Sequence, residues 1–312
     1  MNGKKAGWAF LITTVGYICI SFVAAFYIPS VAESLLLSNI LCELVVVLPI
    51  LIFIIASKEK LGTFLEFHKI KISSVLMIGL FTFLSLPLLS LLNLISQIWV
   101  ENEVAATLIS QQEKSSFVLM YLSVGIIAPV FEEIACRGAF YRSYRKSGSV
   151  LRAMLLSALI FAFMHMNFNQ AAYAFAMGIL SVLLVEATGS LWSSILYHGI
   201  INGSQVILLY GALGAASDVY SEQAAVTTDL LICAIAVYLI ITAVTLPLAW
   251  AVLVWIGRNE GRSGVLSGIW LGRKEKKDKM ITVPFVLALI LCISIMTGTF
   301  VMLIINIQEM IA

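Results

Sequence analysis

Charge is what this chain has least of. Only 12% of its 312 residues are Asp, Glu, Lys or Arg, against 61% hydrophobic residues. An ordinary soluble domain has about 25% charged and about 45–50% apolar residues, so a soluble globular protein is excluded. Also missing are a CxxC pair, a short-period repeat and a low-complexity linker. Cys19, Cys42, Cys136, Cys233 and Cys292 are widely spaced within apolar runs. They read as buried thiols rather than as a disulfide framework or a zinc-thiolate site. The longest hydrophilic intervals, 57–73, 96–116, 212–227 and 257–282, are too short for a separate soluble domain. The net charge of +2 and the basic run Arg273, Lys274, Lys276, Lys277, Lys279 describe a connector near anionic lipid. No folded basic surface accompanies that run, which argues against nucleic-acid binding.

What is present is long, continuous hydrophobicity, with a mean hydropathy of +1.03. A helical span needs about 20 apolar residues, and such windows fall near 8–28, 35–56, 74–95, 117–141, 149–166, 170–187, 191–211, 228–256 and 283–307. The segments are continuously apolar rather than alternating, which selects helices over a β-barrel. The expected fold is therefore all-α: a polytopic transmembrane helical bundle of about eight or nine spans, forming a single membrane domain over 1–312. The apolar run from Trp8 is too long for a secretory signal and reads as a retained first helix.

Basic residues are unevenly shared between alternate connections. Lys4, Lys5, Lys58, Lys60, Lys69, Lys71, Arg142, Arg145, Lys146, Arg152 and the run Arg258 to Lys279 fall on one side, and Lys114 alone on the other. The opposite loops carry Glu101, Glu103, Asp218 and Glu222. The positive-inside rule then predicts a cytoplasmic N-terminus. Short loops with this basic bias point to a bacterial plasma membrane.

Against that apolar background the segment 117–205 stands out, because Glu132, Glu133, Arg137, His165, His198 and Asn202 all fall in it. An ionisable group in hydrocarbon costs a few kcal/mol unless partnered, so such a cluster is a functional-site hypothesis. Glu133 and Arg137, four apart, share a helix face and can pair. Glu132 is rotated by about 100° and must face something else. His198 and Asn202, again four apart, can jointly address one metal ion or one oxyanion, and Gly199 and Gly203 between and beyond them suit close helix packing. A carboxylate pair, two histidines and an asparagine on three helices suit hydrolysis of an amide by an activated water. Three other residues carry blander readings. Glu43 is a structural hydrogen-bonding acid of the second span, Glu186 is interfacial, and His68 is a solvated surface residue.

The three segments resemble the motifs of the CAAX prenyl endopeptidase and bacteriocin-processing (CPBP, or Abi) family of intramembrane proteases. EExxxR stands as Glu132-Glu133 to Arg137, FxxxH as Phe161 to His165, and HxxxN as His198 to Asn202. The stretch Thr188-Gly189-Ser190-Leu191-Trp192 resembles the lead into the third motif. The resemblance covers about 117–205, a catalytic core of spans 4–7, flanked by N-terminal spans over 1–116 and accessory spans over 228–312. It implies an intramembrane metalloendopeptidase in which Glu132 activates water. His165 assists, His198 and Asn202 stabilise the oxyanion or complete a metal site, and Glu133, Arg137 and Phe161 support them. Zinc on His165 and His198 is the expected cofactor, and a peptide or membrane-protein substrate, reached through lipid, the expected partner.

The alternatives are a non-catalytic scaffold or immunity protein that binds a sensor kinase or peptide exporter, and a proton-coupled transporter. Depth poses a problem for any of these, since counting along the spans places His198 in the inner half, Glu132 near the middle and His165 near the outer end. The residues meet only if the spans are broken, with Pro129 as one candidate kink, around a water-filled cleft expected to open on the basic side.

Overall fold

The computed structural model describes residues 1–112, 114–215, 228–274, 278–299 and 302. Asp218, Glu222, Lys276, Lys277 and most of 300–307 lie outside them. No strand occurs among the described residues, and the fold is an all-α bundle. The helices that matter here are α1 (Gly3–Tyr27), α2 (Leu35–Ala56), α3 (Ile72–Ser96), α4 (Glu103–Gln112), α5 (Phe117–Ser147), α6 (Val150–Met164), α7 (Phe168–Thr188), α8 (Leu191–Ala215), α9 (Thr228–Asn259) and α10 (Val283–Met296).

Six of these, α1, α2, α3, α5, α7 and α9, are long and apolar enough to cross a membrane. Two that were expected as spans, α6 and α10, are shorter apolar helices of 15 and 14 described residues. At 1.5 Å per residue α6 reaches only about 22 Å, short of a hydrocarbon core of about 30 Å. The protein is integral to a membrane, and six of the eight or nine expected spans are met by long apolar helices among the described residues.

The cysteines differ from expectation. Cys136 and Cys292 are buried, Cys42 is half-buried, and Cys19 and Cys233 are exposed on the outside of the bundle; all are free.

α5 is not a regular α-helix. Tyr121–Ile127 and Ile134–Tyr141 are π-helical, flanking the α-helical Ala128–Glu133 that contains Pro129. Widened turns free carbonyls from the regular ladder, and side chains of neighbouring helices take them up. Asn39 donates to Ser123 O at 3.0 Å, Asn202 to Val124 O at 3.2 Å, and Ser157 to Cys136 O at 2.8 Å. Gly125 makes the contact with α8 close: a Cβ there would sit 3.2 Å from Gly203 Cα, and one on Gly199 would sit 3.2 Å from Gly125 O. The glycines flanking the HxxxN segment thus pack against a third glycine of α5.

The basic connections gather at one end of the bundle. Glu59 accepts from the Met1 amine at 3.0 Å and from Lys146 at 2.5 Å, Arg142 pairs with Glu66, and Arg262 donates to Glu186 O at 2.7 Å. At the same end α7 closes on Gly189, which takes the left-handed φ of +72° that suits glycine at a helix C-terminus. Ser190 then ties the start of α8 to His68 O at 2.6 Å. At the far end Asn167 donates to Glu103 Oε2 at 2.5 Å, and Asn169 bonds Asn93 Oδ1 at 2.8 Å and Ser96 at 2.9 Å.

Candidate active site

The depth problem does not arise in the structure, where His165, at the C-terminus of α6, and His198 on α8 both face Glu132 on α5. His165 Nε2 is 3.9 Å and His198 Nε2 3.7 Å from Glu132 Oε2. Residues 33 and 66 positions from Glu132 are thereby brought onto one oxygen.

Each imidazole has its outer nitrogen fixed. His165 Nδ1 donates to Phe161 O at 2.6 Å, and His198 Nδ1 donates to Glu133 Oε1 at 3.0 Å. With Nδ1 protonated, both Nε2 atoms carry lone pairs. Asn202 Nδ2 donates to His198 Nε2 at 3.2 Å and also to Val124 O. Glu132 Oε2 is buried and has no hydrogen bond. Two nitrogen lone pairs and one carboxylate oxygen therefore face each other beyond hydrogen-bonding distance, an arrangement that suits a proton donor such as water, or a cation, between them.

Glu133 and Arg137, as their spacing implies, form an ion pair at 2.9 Å between side chains that are both fully buried. The guanidinium lies over the Phe161 ring, 4.2 Å from its centre, and that ring meets His165 and His198 edge-on at 4.8 and 5.7 Å. Phe161 thus wedges Arg137 against both imidazoles. Gly178 of α7 admits this packing, because a Cβ there would lie 2.8 Å from Ala158 Cα and 3.3 Å from Arg137 Nη2.

A cavity of about 660 Å³ leads to the cluster, within the usual size for a small-ligand or peptide side-chain site. Glu132, His165, His198 and Asn202 line its polar floor, and Leu86, Leu89, Met177 and Leu208 its apolar walls. Asn102, Val104, Leu108 and Ile109 place its mouth beside α4, at the end of the bundle opposite the basic connections. The expectation of a cleft opening on the basic side is corrected.

Among the described residues, no group of three His, Cys, Asp or Glu side chains is arranged to hold a metal ion. His165 and His198 offer two suitable nitrogens, so the donor chemistry admits zinc while leaving its other positions to solvent or substrate.

This constellation falls inside a segment with known relatives. Residues 114–204 match the family described as Type II CAAX prenyl endopeptidase Rce1-like. That is the family to which the three motifs point, and the match supports an intramembrane endopeptidase acting on a membrane-associated peptide or protein. The Rce1-like segment contains α5, α6 and α7, together with the part of α8 that carries His198 and Asn202. No curated protein and no solved structure matches the chain.

Glu43 of α2, read from sequence as a structural acid, is buried and lines a smaller cavity with Glu132 and His165. Its signal was an acid within an apolar run, the same signal that marked Glu132, but no motif connected them. Glu186 lies at the basic end and accepts from Tyr141 at 2.6 Å, away from the site, and His68 is exposed there.

Proposed function

We propose that this protein is an intramembrane endopeptidase that hydrolyses a membrane-associated or lipidated peptide with a water activated by Glu132. The single observation that carries the reading is the convergence of Glu132 Oε2 with the two Nε2 lone pairs at 3.7 and 3.9 Å at the floor of the cavity. A water held there donates one hydrogen to Glu132 and the other to an imidazole, which turns an oxygen lone pair towards a substrate in the cavity.

Glu132 removes a proton as the water oxygen attacks the scissile carbonyl, giving a tetrahedral intermediate. The same carboxyl then delivers that proton to the leaving amine as the C–N bond breaks. General acid–base catalysis of this kind contributes about 10²–10⁴-fold. Asn202 keeps one N–H on Val124 O; its other, directed at His198 Nε2, is the group available to the oxyanion. Glu133 orients His198 and is itself neutralised by Arg137. Zinc would be held by His165 and His198 and would supply Lewis-acid polarisation of the carbonyl or water. A scaffold offers no account of three acceptors turned on one another inside a membrane domain.

We further place the protein in a bacterial plasma membrane with its N-terminus cytoplasmic, on the basic residues gathered at that end.

The test is cleavage of a quenched fluorescent peptide ending in a prenylated CAAX sequence, with unprenylated and leader-peptide controls, by protein in liposomes, with zinc measured on the same samples. Glu132→Gln is expected to lower kcat by at least 10²-fold while leaving zinc content unchanged. His165→Ala and His198→Ala are expected to lower both. Loss of cleavage without any zinc in the wild type leaves the glutamate–histidine mechanism and removes the metal. Full cleavage by Glu132→Gln rejects the reading.

A further inference from the structure

The cavity above Glu132 is short of positive charge. None of its described lining residues is Lys or Arg, and Glu132 is the one Asp or Glu among them. The scarcity extends beyond the walls. Between residues 72 and 257 the sequence has Lys or Arg only at Lys114, Arg137, Arg142, Arg145, Lys146 and Arg152. Arg137 is held by Glu133 in the fully buried pair, Lys114 lines a separate small cavity with Glu33, and the other four belong to the connection at the basic end. Residues 216–227, outside the described ones, contain neither Lys nor Arg. At the mouth, Glu103 of α4 adds a further negative charge.

What the walls do offer is amides. Asn93, Asn102, Gln170 and Gln205 all line the cavity. Asn93 Oδ1 accepts from Asn169 at 2.8 Å and Asn102 Oδ1 from Ala105 N at 3.1 Å, but neither Nδ2 donates to a described residue. The side chains of Gln170 and Gln205 have no partner among the described residues. All four can donate to a carbonyl, and the glutamines can also accept from an N–H, which are the two needs of a peptide backbone. A carboxylate fares differently. Two or three residues beyond the scissile bond it would lie about 7–10 Å from the floor, short enough to keep it between these walls. Taking it out of water there, with no cation to meet it, carries a large desolvation penalty.

We propose that the cavity binds an uncharged internal stretch of extended peptide, and that the protein discriminates against substrates whose free C-terminal carboxylate falls within about three residues of the cleaved bond. The four amides take the backbone and the apolar walls take the side chains. This rests on the reading of Glu132 as the base and narrows the substrate class of the same site. A peptide that ends at its CAAX sequence carries such a carboxylate, so it is the disfavoured form, and the same sequence continued past that end is the favoured one.

The experiment gives the prenylated quenched peptide to the full chain in liposomes in three forms: ending in the free acid, ending in the amide, and extended past the same end by a run of uncharged residues. The amide and the extended peptide are expected to exceed the acid by at least about 10-fold in kcat/KM. Gln205→Lys places a cation on the wall and is expected to bring the acid to within about 3-fold of the amide. Gln205→Met removes the same amide without adding charge and is expected to keep the wild-type ratio. Should Gln205→Lys not accumulate, Gln170→Lys is expected to act in its place. Equal cleavage of acid and amide by the wild type, preference for the acid, or a lysine variant that leaves the ratio unchanged overturns the proposal. If Glu132→Gln is dead while acid and amide are cleaved alike by the wild type, only this inference falls. If Glu132→Gln cleaves normally, or none of the three peptides is cleaved by the wild type, the reading of the base falls and this inference with it.

Discussion

Glu133 accepts a hydrogen bond from His198 Nδ1 at 3.0 Å across 65 residues of chain, with the Glu133 side chain fully buried. That bond makes one carboxylate serve two ends, fixing the tautomer of His198 while balancing the charge of Arg137. Replacing it by Glu133→Gln leaves the Arg137 guanidinium buried without a counter-charge. A loss of about 3–5 kcal/mol follows from breaking such a buried pair, together with a fall in kcat. Thermal unfolding in detergent and the cleavage assay check both. Arg137→Met removes the opposite charge and is expected to destabilise comparably.

Gly178 of α7 packs directly against Ala158 of α6. Gly178→Ala pushes its new methyl into Ala158 and towards Arg137, and overpacking of this kind costs about 1–3 kcal/mol. Since α6 carries Phe161 and His165, cleavage is expected to fall as well. Gly79→Ala in α3 meets nothing within 4 Å and is the control, expected to be neutral or slightly stabilising. Unfolding of the pair of variants, measured side by side, decides whether close approach is the reason for Gly178.

Glu59, in the connection after α2, holds its carboxyl below the ordinary carboxylate range, chiefly through its hydrogen bond with Lys146 and then with the Met1 amine. A depressed folded-state value means the unfolded chain takes up its proton first as pH falls. The stabilisation is therefore present above about pH 4.3 and is lost as pH drops through the lower folded value. Glu59 and its main partner Lys146 are partly exposed, so the effect is below about 1 kcal/mol. Glu59→Gln is expected to unfold slightly earlier than wild type at pH 7, and the gap should close under acid conditions. An unchanged gap at pH 3 contradicts the assignment.

The basic end and the cavity mouth lie on opposite ends of the bundle. With a cytoplasmic N-terminus, a thiol at Glu101→Cys reacts with an impermeant maleimide in intact cells, and one at Lys60→Cys reacts only after permeabilisation. Both measurements use a background free of the five native cysteines. The reverse pattern inverts the orientation and puts the cavity mouth at the cytoplasmic face.

Much of the site was legible in the chain because its elements are local. Glu133 with Arg137 and His198 with Asn202 are four apart, and helical geometry alone places each pair on one face. Phe161 and His165 have the same spacing, and the structure adds that the ring also reaches Arg137 and His198. The span count rested on hydropathy, which records how apolar α6 is but not that it holds only 15 residues. Glu43 was passed over because nothing in the sequence relates residue 43 to residue 132.

By itself, then, the sequence determined that the chain is a helical membrane protein with its ionisable residues confined to a few helix faces. Those properties follow from the cost of charge in hydrocarbon and from a 3.6-residue period. Only the tertiary structure decided that α6 ends beside Glu132, that the π-helical turns of α5 accept Asn39 and Asn202, and that Glu43 lines a cavity with Glu132. These depend on where separate helices stop and how closely they approach. That is set by packing between residues far apart in the chain, for which a single sequence carries no periodic signal.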